Sequence, residues 1–143
     1  MPREHDHIRL TPEEVVEFLS SQTHCVVATL DPDGGPWGDV APCVYHDGRL
    51  WFRLAEGSRS QRNVAADPRV CCTLEYQGGH YYAMKSAMVH GTATPLDGAS
   101  VPELDERPDP VTGKPLTGPV YGVGLDNVVS FDFAKIQRRF EQS

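Results

Sequence analysis

The sequence predicts a mainly β domain of the α+β kind: six or so antiparallel strands, closed or nearly closed into a small barrel, with a few short helices. Two observations carry this. Short apolar runs alternate with dense turn signals at Asp31–Pro36, Asp47-Gly48 and Gly78-Gly79. Helix-start signatures, by contrast, stand at only two places, before Pro12 and before Arg59. At 143 residues the chain is about one domain long, with enough interior for a single core without disulfide or metal staples.

Residues 1–9 read as a polar arm. His5 and His7 flank Asp6 there, a pattern better explained as a chance surface cluster than as a metal site. Residues 10–96 read as the barrel itself. Leu10–Ser21 opens with Thr11 as N-cap, Pro12 at the first helical position and Glu14 closing a capping box, and Leu10 is placed to staple onto Val15. Val15, Val16, Phe18 and Leu19 give that helix one apolar face. From His24 the period becomes that of strands: His24–Leu30, then Trp37–His46, then Arg49–Ala55 across the Asp47-Gly48 hairpin turn. Arg69–Tyr76 is a fourth strand, and His80–Leu96 a long fifth. Residues 97–124, rich in Pro, Gly and Asp, show no periodicity and read as a functional lid or a segment wrapping a partner subunit. Residues 125–143 supply a last strand, Asn127–Phe133, and a tail that either prolongs it or turns helical.

A formal charge of -7 argues against a nucleic-acid role, because such binders need a basic face to displace counterions from phosphates. No apolar run approaches the ~20 residues of a membrane span, no repeat is visible and no secretory segment precedes the domain. Cys25, Cys43, Cys71 and Cys72 have neither C-x-x-C nor zinc-finger spacing, so they read as reduced, buried thiols of a cytoplasmic protein. No metal site is expected.

Within this acidic chain, Ala55–Val70 ("AEGSRSQRNVAADPRV") holds three arginines. Ser58 and Gln61 form a second capping box, so a helix should run from Arg59 to about Ala66, stopped by Asp67-Pro68. The first amides of such a helix lack internal partners and carry partial positive charge, which anions seek. Gly57 permits close backbone approach, Ser58 and Ser60 add hydroxyls, and Arg59 can fork onto phosphate oxygens. The stretch is therefore either a phosphate cradle or a capped surface helix with solvated arginines.

"LWFRLAEGSRSQRNVAADPRVCCTLE", followed by "MKSAMVHGTA", resembles the pyridoxamine 5'-phosphate oxidase-like superfamily of split β-barrel flavoproteins, including its nitroimidazole-resistance relatives. The similarity runs from about Thr23 to Leu96, the initial helix also fits, and from Asp97 onward there is no specific match. It implies the FMN-binding split-barrel fold and a homodimer with two flavin sites at the subunit interface. Carried over, Ser58 and Arg59 match the phosphate-binding serine and arginine, and Phe52 and Arg53 fall where the family's strand touches the flavin ring or its ribityl tail. Asn63 matches a recurrent helix asparagine, and Lys85 and Ser86 match a basic-then-polar pair that contacts the cofactor. Lys85 can equally be an exposed strand lysine. Ser60 stands where the family has a phosphate lysine, so a charge-assisted bond of about 1.5 to 3 kcal/mol is missing. Ser60→Lys is accordingly expected to strengthen binding.

In a flavoprotein the ring performs the redox chemistry, and the protein supplies orientation and exclusion of water. The chain has no Ser-His-Asp grouping, paired-carboxylate signature or Rossmann glycine pattern. Tyr45, His46, Tyr81, Tyr82 and His90 are eligible proton donors, and the catalytic residue stays unknown. The resemblance thus implies an FMN-dependent oxidoreductase acting on a small organic molecule. The deazaflavin coenzyme F-420 is a rival cofactor, and a non-catalytic flavin- or haem-binding protein a rival function.

Overall fold

The computed structural model describes residues 6–98 and 100–136. Helix α1 (Pro12–Ser20) begins as its sequence dictates: the Thr11 hydroxyl accepts from the Glu14 amide at 3.2 Å, and Glu14 Oε1 accepts from the Thr11 amide at 2.9 Å. Leu10 and Val15, the two ends of the staple, are both buried in the core. Strands β1 (His24–Leu30), β2 (Pro36–His46) and β3 (Arg49–Arg53) follow as antiparallel neighbours. Asp47 and Gly48 turn the β2–β3 hairpin with φ of 51° and 78°, the left-handed pair that a two-residue turn requires. Next come α2 (Arg59–Ala66), β4 (Arg69–Tyr76), β5 (Lys85–Thr92), β6 (Thr94–Pro95), α3 (Pro102–Asp105), β7 (Val120–Gly124) and β8 (Asn127–Asp132).

One antiparallel sheet orders these strands β6-β7-β3-β2-β1-β4-β5-β8. Since β5 and β6 are successive stretches of one chain path, the order closes on itself: β5 pairs with β4, and its continuation β6 pairs with β7. The long β2 serves both halves, pairing with β1 through Pro36–Pro42 and with β3 through Cys43–His46. Inside lie Val27, Cys43, Leu50, Phe52, Cys72, Leu74, Ala87, Val89 and Val123, all essentially inaccessible. Helix α1 covers one mouth with Val15, Phe18 and Leu19, and α2 covers the other with Val64.

Among the described residues eight strands stand where six were expected, and both extras have a physical cause. The fifth run is divided: His80–Met84 forms a 3-10 turn (Tyr81–Ala83) rather than strand, and the remainder breaks at buried Ala93 into β5 and β6. Strand β7 lies in the stretch expected to be irregular. Its residues are buried on both faces, so no alternation marks them, and Gly122 lies so close under Trp51 that a Cβ would come within 2.5 Å of the indole. The second capping box is half made: Ser58 Oγ accepts from the Gln61 amide, but the Ser58 amide is spent on Ala55 O at 3.1 Å.

Residues 100–119 strap their own barrel. Val101 and Leu104 pack with Val44 and Val120 over the outer side of β2, β3 and β7. Arg53–Asp105 at 2.6 Å and a bond from Arg107 to Cys43 O pin the strap, and the Leu54 and Glu56 amides donate to Pro119 O and Thr117 O. The tail is helical at 134–136, and the rest of it, like His5, lies outside the described residues.

Candidate functional site

Strand β3 ends at Arg53, and the chain crosses the barrel mouth through Gly57, whose φ of +71° turns it into α2 with open space around its Cα. Ser58 caps α2 with its hydroxyl. The amides of Arg59 and Ser60, at the positive end of the helix dipole, have no acceptor among the described residues.

Arg59 does not swing free. Its guanidinium lies 3.9 Å from the Trp37 ring centroid, and its Nε and Nη2 both donate to the Asp31 carboxylate, the first at 2.9 Å. Asp31 is held in turn by Asn63 Nδ2 at 2.9 Å, and the same nitrogen reaches the buried Thr29 hydroxyl at 3.1 Å. Bonds from Arg59 and then Asn63 keep the Asp31 carboxyl below its ordinary range, and Asp31 raises Arg59 correspondingly. The second nitrogen of the fork, Nη1, has no acceptor among the described residues. Arg62 donates to Gly57 O, and Arg69 is paired with Asp67 at 2.7 Å. An open groove of about 900 Å³ runs along this corner, lined by Leu30, Asp31, Asp33, Arg59, Arg62 and Asn63 among others.

Ser58, Arg59 and Asn63 are therefore together, and Asn63 acts by orienting Asp31. Ser60 is fully buried, its hydroxyl donating to Asp39 at 3.2 Å, so it forms part of the wall beneath the cradle. Phe52 is wholly enclosed and stacks on Tyr121 at 5.9 Å between centroids; contact from this strand to a ligand falls to its backbone or to Arg53. Arg53 lines a cleft of about 190 Å³ with Asp39 and Leu116, and its Nε is buried without a partner. Lys85 and Ser86 lie at the opposite mouth, Lys85 with its ammonium 5.9 Å from the Phe18 ring of α1 and Ser86 buried. The eight residues of β4 separate that end from α2, roughly 23 Å at strand rise.

Trp37 was not among the residues anticipated from sequence; its place directly after the Asp31–Pro36 turn was the available signal. None of the eligible proton donors Tyr45, His46, Tyr81, Tyr82 and His90 lines the groove. Three cysteines are buried as expected, but Cys71 is only half-buried and faces His90, with Sγ 3.9 Å from Nε2. A hydrogen bond to Cys25, then burial, push the Cys43 thiol far above its ordinary range. Among the described residues no three His, Cys, Asp or Glu gather as metal ligands, and no helix is long and apolar enough to cross a membrane.

Known structures share this architecture. The conserved hypothetical protein Rv2991 of Mycobacterium tuberculosis is 22% identical, with a TM-score of 0.73, over 96% of this chain and 92% of its own. An FAD-binding protein of Mesorhizobium loti is 17% identical, TM-score 0.64, over 85% and 92%. The haem storage protein HutZ of Vibrio cholerae is 18% identical, TM-score 0.64, over 87% and 98%. At these identities the likeness shows the fold, shared by flavin- and haem-binding proteins. No curated protein matches the chain in sequence. A family model does match, over residues 11–110, a span taking in helices α1 to α3 and strands β1 to β6, and by it the chain belongs to the pyridoxamine 5'-phosphate oxidase family.

Proposed function

We propose that the protein binds FMN at the interface of a homodimer and uses it to reduce or oxidise a small organic substrate. The observation that carries the reading is the start of α2. Two amides without acceptors among the described residues, a glycine with open space around it and the unspent Nη1 of an arginine fixed over Trp37 gather there, and Arg59 also lines a groove shared with Asp31, Asp33 and Asp67. This donor set fits a phosphate end. It is less basic than the family pattern, because serine replaces lysine at 60 and Asp31 occupies the other edge of Arg59.

FMN, when bound, supplies hydride or electron-pair transfer. The chain's own residues hold and orient. Arg59 Nη1, the amides of Arg59 and Ser60 and the Ser58 hydroxyl would take the phosphate. Asn63 and Asp31 fix the guanidinium, so little rotamer freedom is lost when an anion arrives.

Two observations support the dimer. Residues matched to one cofactor lie at opposite mouths of one chain, so a single copy cannot bring them together. The outer side of β2-β1-β4-β5-β8 carries the row Val40, Val26, Thr73, Met88 and Val129 in direct register, and Val26 is 43% exposed. A twofold axis lying in that face and along that row would cover the apolar patch and bring the Lys85 end of one copy to the α2 end of the other.

The deazaflavin is less well served, since Arg62 and Arg69, the remaining cations of a wider groove, are committed to Gly57 O and Asp67. That none of Tyr45, His46, Tyr81, Tyr82 and His90 of the same chain lines the groove favours the second reading, a non-catalytic flavin or haem carrier. Spectra of the purified protein separate these: flavin bands near ~370 and ~450 nm, against a haem Soret band. By titration calorimetry, Arg59→Ala should weaken FMN binding by about 1.5 to 3 kcal/mol. An unchanged affinity removes the phosphate assignment.

A further inference from the structure

We propose that the aromatic ladder Tyr81, Phe133 and Phe131 is the wall on which the flavin ring stacks, supplied by one copy to the site whose anion seat belongs to the other. The inference rests on the flavin reading above and adds to it residues from the turn before β5 and from the end of β8.

The ladder is built rather than accidental. Phe131 and Phe133 stack at 5.7 Å and 24°, Tyr81 lies on Phe133 at 5.0 Å and 35°, and Tyr82 meets Tyr81 edge-on at 5.2 Å. Tyr81 is the outermost rung and is 66% exposed. Its loop is fixed from several sides. The Ala83 amide donates to His80 O and the Phe133 amide to Met84 O, both at 3.0 Å. Gly78 packs so closely on Ala83 that a side chain would put its Cβ 2.3 Å from that of Ala83. A cleft of about 230 Å³ opens beside Tyr81, between Gly78, His80 and Met84, and accommodates part of a planar ring. A rigid aromatic face presented to solvent at this cost of order is a recognition surface for another π-system.

Its position decides whose site it serves. Phe131 pairs with Ser86 in β5 and so continues the outer face beyond the Met88–Val129 pair, away from α2. In its own chain the ladder is separated from Arg59 by the length of β4, roughly 23 Å. About the twofold inferred above, the same ladder comes to the α2 end of the other copy, where the seat holds the phosphate and leaves the ring to extend along the interface.

The test is subunit complementation with FMN as the probe. Tyr81→Ala should raise the FMN Kd about fivefold and relieve the quenching of flavin emission, and Tyr81→Phe should restore both. Arg59→Ala chains and Tyr81→Ala chains, differently tagged, are then combined and the heterodimer isolated. If ladder and seat come from different copies, one site of that heterodimer carries both defects and the other carries none, so one site titrates with wild-type affinity. Two weakened sites, one with the Arg59→Ala loss alone and the other with the Tyr81→Ala loss alone, would overturn the proposal, since the ladder would then serve its own chain. A loss in Arg59→Ala with none in Tyr81→Ala overturns the ladder alone. An unchanged Kd in Arg59→Ala overturns the anion seat, and the pairing falls with it.

Discussion

Ser60 shows how one residue changes meaning once its surroundings are known. From the pattern alone, lysine at 60 would restore a missing phosphate contact. In the fold that side chain is fully buried and donates to Asp39, with no room for a four-carbon stem. Ser60→Lys should therefore cost stability by roughly 1 to 3 kcal/mol through overpacking and a buried charge, seen as a lower urea midpoint, before any gain at the ligand. A midpoint equal to wild type would mean that the lysine escapes to solvent. Asn63 is the complementary case. Its amide serves both Thr29 and Asp31, and Thr29 is buried, so Asn63→Ala should cost roughly 1 to 3 kcal/mol by the same measurement. FMN affinity should fall as well, because Asp31 then no longer orients Arg59.

At the scale of elements, α1 carries a pH signature. Glu14 bonds Lys135 at 2.6 Å and the Thr11 amide, and Lys135 first, then the amide, lower its carboxyl from 4.5 to about 2. A carboxylate whose folded value is depressed adds stability above pH 4.5 and loses it as pH falls through about 2. Urea midpoints should therefore drop across that interval, and Glu14→Gln should flatten the drop; equal slopes would show that the Lys135 contact adds nothing to folding. This helix, the strands β1 to β4 and the start of α2 were legible because capping chemistry, alternation and turn residues are local. What was not legible depends on distant partners. Strand β7 shows no period because Trp51 and the strap cover it. The Arg59–Asp31 pair joins residues 28 apart in sequence, and the Tyr81 turn exists because Phe133 returns to meet it. Gly118 is a similar case: at φ +153° its Cβ would fall 1.9 Å from Leu54 O. Gly118→Ala should detach the strap where it crosses the end of β3, exposing residues 100–119 to limited proteolysis that the parent chain resists.

For the whole molecule the question is why half of the barrel's outer face is covered and half is not. The strap seals β2, β3 and β7 with Val101 and Leu104, whereas Val26, Val40 and Val129 remain exposed across β2, β1 and β8. The strap covers one half, and the proposed dimer would place a second copy on the other. In that proposed dimer the start of α2 and the aromatic ladder, which lie at opposite mouths of one chain, would meet between two copies. Val26 lies near the middle of the bare row, paired with Val40 on one side and Thr73 on the other. Val26→Glu places a carboxylate against its own symmetry mate while leaving the barrel interior untouched, because that side chain faces outward. Light scattering should then change from twice the 15.8 kDa chain mass to a single chain, with far-ultraviolet circular dichroism preserved and FMN binding weakened together with dimerisation. A variant that stays dimeric with wild-type FMN affinity would move the interface elsewhere, and a monomer that still binds FMN at full affinity would place the whole site within one chain.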